Sequence, residues 1–220
     1  MSVSTENFIK LLFEMGVAEA RDISGSQLAA RLEVSPAAIT DMSRKLAEKG
    51  LVDYTPYKVI RLTGRGREMA LKVIRKHRLW ELFLHKVLNM DLEAVHVEAE
   101  RLEHQTSDEL TNRLDEFLGF PLYDLYGEPI PSQEGVIREQ PALVALERVK
   151  PGVKVRIGRI QVHEKEIFKM VDHYQIKPGT KIEVLRLFDI DGSMEVKIKG
   201  EKLILPGVLV EMIFCKEGKS

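Results

Sequence analysis

The sequence predicts a multi-domain α+β protein: a winged helix-turn-helix, an all-helical middle and a small β-barrel. Three observations predict it. Apolar residues recur at helical spacing up to about residue 118 and then give way to short strand-like runs. Two short helices, a tight turn between them and a hairpin follow one another from Ser24 to Leu62. The net charge of −1 conceals a division: residues 1–76 carry 13 Lys/Arg against 9 Asp/Glu, residues 77–140 carry 5 against 14, and residues 141–220 carry 15 against 11. A basic front suits a polyanion and an acidic middle suits cations.

The elements follow in order. Phe8, Leu11, Leu12 and Met15 set a helix over 5–20. Ser26 is the expected cap of a second helix, Gln27–Leu32. Ser35 before Pro36 opens a third, an N-cap hydroxyl followed by proline at the first helical position, and Gly50 closes it. Leu51–Tyr54 and Val59–Leu62 read as strands joined by Thr55-Pro56-Tyr57-Lys58. Helices are expected over Gly66–Leu88, Leu92–His104 and from a Ser107 cap to Leu118. Residues 119–135 are rich in Gly and Pro and read as a loop. The tail is expected to hold strands at Val153–Ile157, Lys181–Leu187, Ser193–Ile198 and Val208–Phe214. The domains are therefore drawn at 1–74, 75–140 and 141–220.

Helix, turn, helix, hairpin is the order in which a second helix offers its N-terminal residues to base edges in the major groove. Here those residues are Ser35, Ala37, Ala38, Thr40 and Asp41, with Arg44 and Lys45 further along as phosphate contacts and Lys58 and Arg61 in the wing. Small and hydroxylic side chains suit thymine methyls and phosphates and lack the Arg-to-guanine fork. Ile39, Met42 and Leu46 form the buried face of the same helix.

The most specific feature is His96-x-x-x-Glu100-x-x-Glu103-His104, whose spacing shares one helix face. An amphipathic helix normally gives that stripe to leucine or valine. Burying two carboxylates and two imidazoles without a cation costs several kcal/mol. The preceding helix repeats the theme with His77 and Glu81, and His85 lies two turns after His77. Carboxylate and imidazole without thiolate suit Mn²⁺ or Fe²⁺, while Zn²⁺ or Co²⁺ can bind in vitro by intrinsic affinity. There is no HExxH arrangement and no separate general-base motif. A metal-dependent enzyme with a nucleic-acid-binding front is the alternative to a binding protein, and it requires an open coordination position beside a base.

The whole chain resembles the diphtheria-toxin-repressor family of metalloregulators, including its manganese-regulator branch. The stretches that carry the resemblance are Arg75-Lys-His-Arg-Leu79, Val95-His-x-Glu-Ala99, Leu102-Glu-His104 with Ser107-Asp-Glu109, and Gly127-Glu-Pro-Ile-Pro131. The resemblance implies an SH3-like (FeoA-like) tail. It also implies a primary metal site of Asn7, Glu100, Glu103 and His104 and an ancillary site of His77, Glu81 and His96. Glutamate at position 100, where iron-type members have cysteine, tilts the ion toward Mn²⁺. Asn7 stands in place of the usual methionine or aspartate, and Lys10 where the binuclear manganese branch uses glutamate. His163 and Glu164 are candidates for an extra ligand from the tail, and Asp124 for one from the loop, where Tyr126 is a poor ligand.

These readings combine into an expected dimeric repressor. Its subunits pair through residues 77–140, and metal neutralises Glu100 and Glu103 and ties the first helix to the helical domain through Asn7. The two recognition helices then fit a near-palindromic operator controlling metal uptake genes. No apolar run reaches the roughly 18 residues of a membrane span, the N-terminus lacks a signal core, and Cys215 is the single cysteine. A cytoplasmic protein without intrachain disulfide or small-molecule substrate is expected.

Overall fold

The computed structural model describes residues 2–19, 23–55, 59–138, 141–162 and 165–217. Its contacts divide the chain into two compact units. The first comprises Met1–His77, Glu100–Asn112 and Pro131–Val136; the second comprises Arg78–Ala99, Arg113–Ile130 and Ile137–Ser220.

The first unit begins with α1 (Val3–Glu19). Phe8, Ile9, Leu12, Phe13 and Met15 are buried, so most of the helix surface is covered. Helix α2 (Gly25–Arg31) starts one residue before the predicted cap, Ser26. Ser24, not Ser26, is the N-cap: its hydroxyl accepts from the Gln27 amide at 3.3 Å, and Gln27 Oε1 accepts from the Ser24 amide at 3.0 Å. That reciprocal box satisfies two donors at once, which a cap at Ser26 cannot do. Helix α3 (Pro36–Glu48) is capped by Ser35 as predicted and ends before Gly50, whose φ of 67° closes the turn.

The wing is short. Strand β1 (Val52–Asp53) pairs antiparallel with β2 (Arg61–Leu62), and Ile60 bridges to Ile23. Lys58 lies outside the described residues. Helix α4 (Gly64–Lys86) follows, with Thr63 accepting from the Gly66 amide. A Cβ on Gly66 would lie 1.9 Å from the Leu51 carbonyl oxygen, so glycine is what lets the wing approach α4.

Helix α5 spans Leu92–Leu102 and stops two residues short of the prediction. Gln105 and Thr106 amides and the Thr106 hydroxyl all converge on the Leu102 carbonyl, so the chain turns there and frees Glu103 and His104 from the helix. Helix α6 (Asp108–Phe117) is capped by Ser107, whose hydroxyl accepts from the Leu110 amide. In the second unit Leu79, Leu82, Leu114 and Ile130 make a small core with Trp80 and Phe83 packed edge-to-face against each other.

The tail of the second unit is one antiparallel sheet in the order β3-β8-β4-β5-β6-β7. Its strands are β3 (Val144–Ala145), β4 (Lys154–Ile160), β5 (Lys181–Leu187), β6 (Met194–Ile198), β7 (Glu201–Leu205) and β8 (Ile213–Glu217). Strands β3 and β7 end the hydrogen-bonded order, so among the described residues the ladder does not close on itself. Helix α7 (Lys165–His173) connects β4 to β5. Two expectations change. Residues 208–211, read as a strand, form helix α8 (Gly207–Glu211), and the last strand begins at Ile213. Leu209 and Val210 are neighbours and both buried, a break in the alternation of a strand with one face in the core that a helical turn accommodates. Strand β7 was missed because Glu201-Lys-Leu-Ile-Leu205 runs together with the apolar stretch after it.

Candidate metal centre

The first unit gathers an acidic and imidazole-rich pocket from three elements. Helix α1 brings Lys10, with Glu6 four and Asn7 three residues before it on the adjoining turn. Helix α4 brings His77. The end of α5 and the turn after it bring Glu100, Glu103 and His104. Glu103 is 1% exposed and His77 7%.

Two groups of contacts organise these residues. In the first, Lys10 Nζ lies 2.7 Å from Glu100 Oε1, 2.8 and 3.1 Å from the two Glu103 oxygens and 3.1 Å from His77 Nδ1. His77 Nδ1 is also 2.7 Å from Glu103 Oε2. That nitrogen holds at most one proton, so it either donates to Glu103 or accepts from Lys10. Burial pulls the Lys10 ammonium down, but Glu103, Glu14 and Glu100 outweigh it and raise its pKa well above the ordinary lysine value.

The second group centres on His104. Its Nδ1 donates to Glu6 Oε2 at 2.6 Å. Its Nε2 is buried, has no hydrogen-bond partner and lies 3.4 Å from Glu103 Oε1. Asn7 Oδ1 is likewise buried without a partner. A carboxylate on one imidazole nitrogen fixes the tautomer that leaves a lone pair on the other, the support that metal-binding histidines characteristically have. The donor set of one amide oxygen, one imidazole nitrogen and carboxylate oxygens fits a hard or borderline divalent cation.

The predicted primary residues therefore lie in one unit, with the stripe divided within α5 between His96 and Glu100. Glu6, which orients His104, was missed; its place one residue before Asn7 on the same helix was the available signal.

In the second unit, Glu81 on α4 and His96 on α5 pair at 3.2 Å. The His96 ring lies against Phe168 of α7, centroids 4.8 Å apart, and Phe168 meets Tyr126 edge-on. His77 precedes Glu81 by one turn of α4. Asp124 is committed to its loop: Oδ1 accepts from the Tyr126 and Glu128 amides, and Oδ2 faces Arg78 Nε at 3.4 Å. Burial pushes its carboxyl up to about 7 against the pull of Arg78. His85 is engaged with the Met90 carbonyl at 2.9 Å. His163 and Glu164 lie outside the described residues.

On α3, Ser35, Ala37, Ala38, Thr40, Asp41, Arg44 and Lys45 are exposed while Ile39, Ser43 and Leu46 are buried. The Ser35 hydroxyl is used as a cap, Thr40 returns its hydroxyl to Pro36, and Asp41 pairs with Lys45 at 2.7 Å.

Comparison with known proteins agrees with this division of labour. Residues 1–60 match the iron dependent repressor N-terminal DNA binding domain, 63–132 match the iron dependent repressor metal binding and dimerisation domain, and 144–217 match the FeoA domain. The diphtheria toxin repressor of Corynebacterium efficiens is 29% identical over 194 residues, covering 83% of each chain. An uncharacterized HTH-type transcriptional regulator of Methanocaldococcus jannaschii is 37% identical over 118 residues, 54% of this chain and 94% of that one. Among solved structures, a manganese-dependent transcriptional repressor complexed with manganese superposes with a TM-score of 0.86 at 32% identity, covering 97% of this chain and 99% of the other. Those matches run through the helix-turn-helix, the His/Glu-bearing helices and the sheet alike, and the chain therefore belongs to the iron-dependent (diphtheria-toxin-type) repressor family, which comprises transcriptional repressors and not enzymes.

Proposed function

We propose that this protein is a dimeric repressor whose operator affinity rises when Mn²⁺ or Fe²⁺ is held by Asn7, Glu103 and His104 with Glu100. The observation that carries the reading is His104: Glu6 fixes its Nδ1, and its buried Nε2 faces Glu103 without a hydrogen bond. A bound dication supplies charge neutralisation and a rigid link between α1 and the end of α5. Oxygen and imidazole donors without a thiolate favour manganese or ferrous iron. His77, Glu81 and His96 form the proposed ancillary set, supported by the Glu81–His96 pair. The functional domains are taken as 1–74, 75–140 and 141–220.

DNA contact is assigned to the exposed start of α3. Ala37, Ala38 and Thr40 meet base edges and methyl groups, Arg44 and Lys45 meet phosphates, and Ser35 contributes mainly as the cap that sets the helix angle. Lys58 extends the contact from the wing. Two such helices in a symmetric dimer read half-sites about one helical turn apart. The protein then acts where the chromosome is, in the cytoplasm.

Gel shifts on DNA from the protein's own upstream region, run anaerobically with Mn²⁺, Fe²⁺, Co²⁺ and Zn²⁺, test this. Metal is expected to tighten binding roughly 5–150-fold, the range of ordinary coupling energies. Equal affinity in chelator and in metal would overturn the switch. His104→Ala is expected to abolish the metal effect and leave the dimer intact.

A further inference from the structure

The pocket of the first unit contains a cation that belongs to the chain. His77, Glu100 and Glu103 each offer a ligand atom, and these atoms all lie within 4.8 Å of one another, the grouping expected around a metal ion. Lys10 Nζ makes its contacts, at 2.7 to 3.1 Å, with these same three residues. An ammonium has three N–H donors, and Glu100 Oε1 with the two Glu103 oxygens offers them three acceptors whichever tautomer His77 adopts. The lysine is 6% exposed, and its amine has no cheap route to solvent.

We propose that the Lys10 ammonium is a tethered substitute for a second divalent ion, which makes this pocket a one-metal site. The inference rests on the metal reading given above. Two features of the pocket carry it further. Two buried atoms outside Lys10's contacts, Asn7 Oδ1 and His104 Nε2, have no hydrogen-bond partner, and His104 Nε2 lies 3.4 Å from Glu103 Oε1. Charge agrees in direction: Glu6, Glu14, Glu100 and Glu103 surround one ammonium, and a dication offsets most of the remaining negative charge. A second dication beside the ammonium would turn the buried pocket net positive. The consequence is regulatory. Lys10 already links α1 to α5 and the turn after it by ion pairs, so that part of the link forms without metal, and a single ion completes it. The pocket then responds to one metal ion per chain instead of a cooperative pair.

Manganese binding read by electron paramagnetic resonance tests this, with His96→Ala in every sample to remove the ancillary set. The Lys10 protein is expected to take up one Mn²⁺ per chain, with the six-line spectrum of an isolated ion. Lys10→Glu is expected to take up two and to show an exchange-coupled pair. Two coupled ions with Lys10 present, or no additional ion in Lys10→Glu, would overturn the proposal. Should Lys10→Glu not fold, Lys10→Met serves. Its melting temperature in chelator is expected to fall by several degrees, and Mn²⁺ is expected to raise it by more than it raises the parent. An equal rise would overturn the proposal. Operator binding is scored separately: one isolated ion with no effect on DNA affinity sinks the switch and leaves the one-metal site standing, whereas no ion in any sample sinks both.

Discussion

His104 illustrates how much a single contact decides. Its Nδ1–Glu6 hydrogen bond, 2.6 Å long and largely buried, selects the tautomer and aims Nε2. Outer partners of this kind commonly govern 10–100-fold in metal affinity. Glu6→Ala is therefore expected to weaken Mn²⁺ binding by about that factor without dissociating the dimer, as measured by calorimetric titration. Asn7 gives the opposite test. An amide oxygen carries no net charge, and its buried Oδ1 lacks a donor. Asn7→Asp is expected to tighten Mn²⁺ binding, and an unchanged affinity in the same titration would remove Asn7 from the ligand set. Cys215 is buried in the sheet core, and burial pushes its thiol up to about 12, which disfavours the reactive thiolate.

At the scale of elements, the joints matter more than the helices. The start of α4 is built so that the Leu51 carbonyl touches Gly66, and Thr63 ties Gly50 to the same turn. Gly66→Ala is expected to destabilise the protein by roughly 1–3 kcal/mol, the usual penalty for overpacking, and to weaken DNA binding by displacing the wing. A melting curve and a gel shift check the two effects. Gly207 has a comparable role in the tail, where a Cβ would lie 2.1 Å from the Asp191 carbonyl oxygen at the start of α8. Loss of the Ser24 cap is a milder perturbation: Ser24→Ala is expected to cost about 1 kcal/mol, readable in urea unfolding, with metal affinity unchanged.

For the molecule as a whole, the apolar surface left exposed on the second unit is informative. Phe117 is 66% exposed and Phe120 65%, with Leu88, Val97 and Leu122 also open. Side chains of this size are seldom left in water in such number, and the family to which the chain belongs dimerises through this region. Phe117→Asp is expected to shift the protein to monomer in light scattering and to weaken operator binding, while a single chain keeps its metal pocket. No helix among the described residues is long and apolar enough to cross a membrane.

Local patterns determined the parts of this protein that obey local rules. Ser35-Pro36 and Gly50 bracket α3, and Ser107 opens α6, because caps and breakers act over three or four residues. Residue type and spacing also singled out Glu100, Glu103, His104, His77, Glu81 and His96, since such polar residues on an amphipathic face require a partner. Tertiary structure decided which partner each one has. The stripe divides within α5: His96 joins Glu81, while Glu100, Glu103 and His104 meet Lys10 and Glu6 of helix α1. Glu6 and Lys10 lie nearly a hundred residues away from those partners, and no periodicity reports a contact across that separation. The same holds for α8: Val208 and its neighbours suit a strand by propensity, and the burial of Leu209 and Val210 in the sheet core made them a helix. Helix and turn signals are short-range, whereas the placement of a charge in a buried pocket depends on every element packed around it.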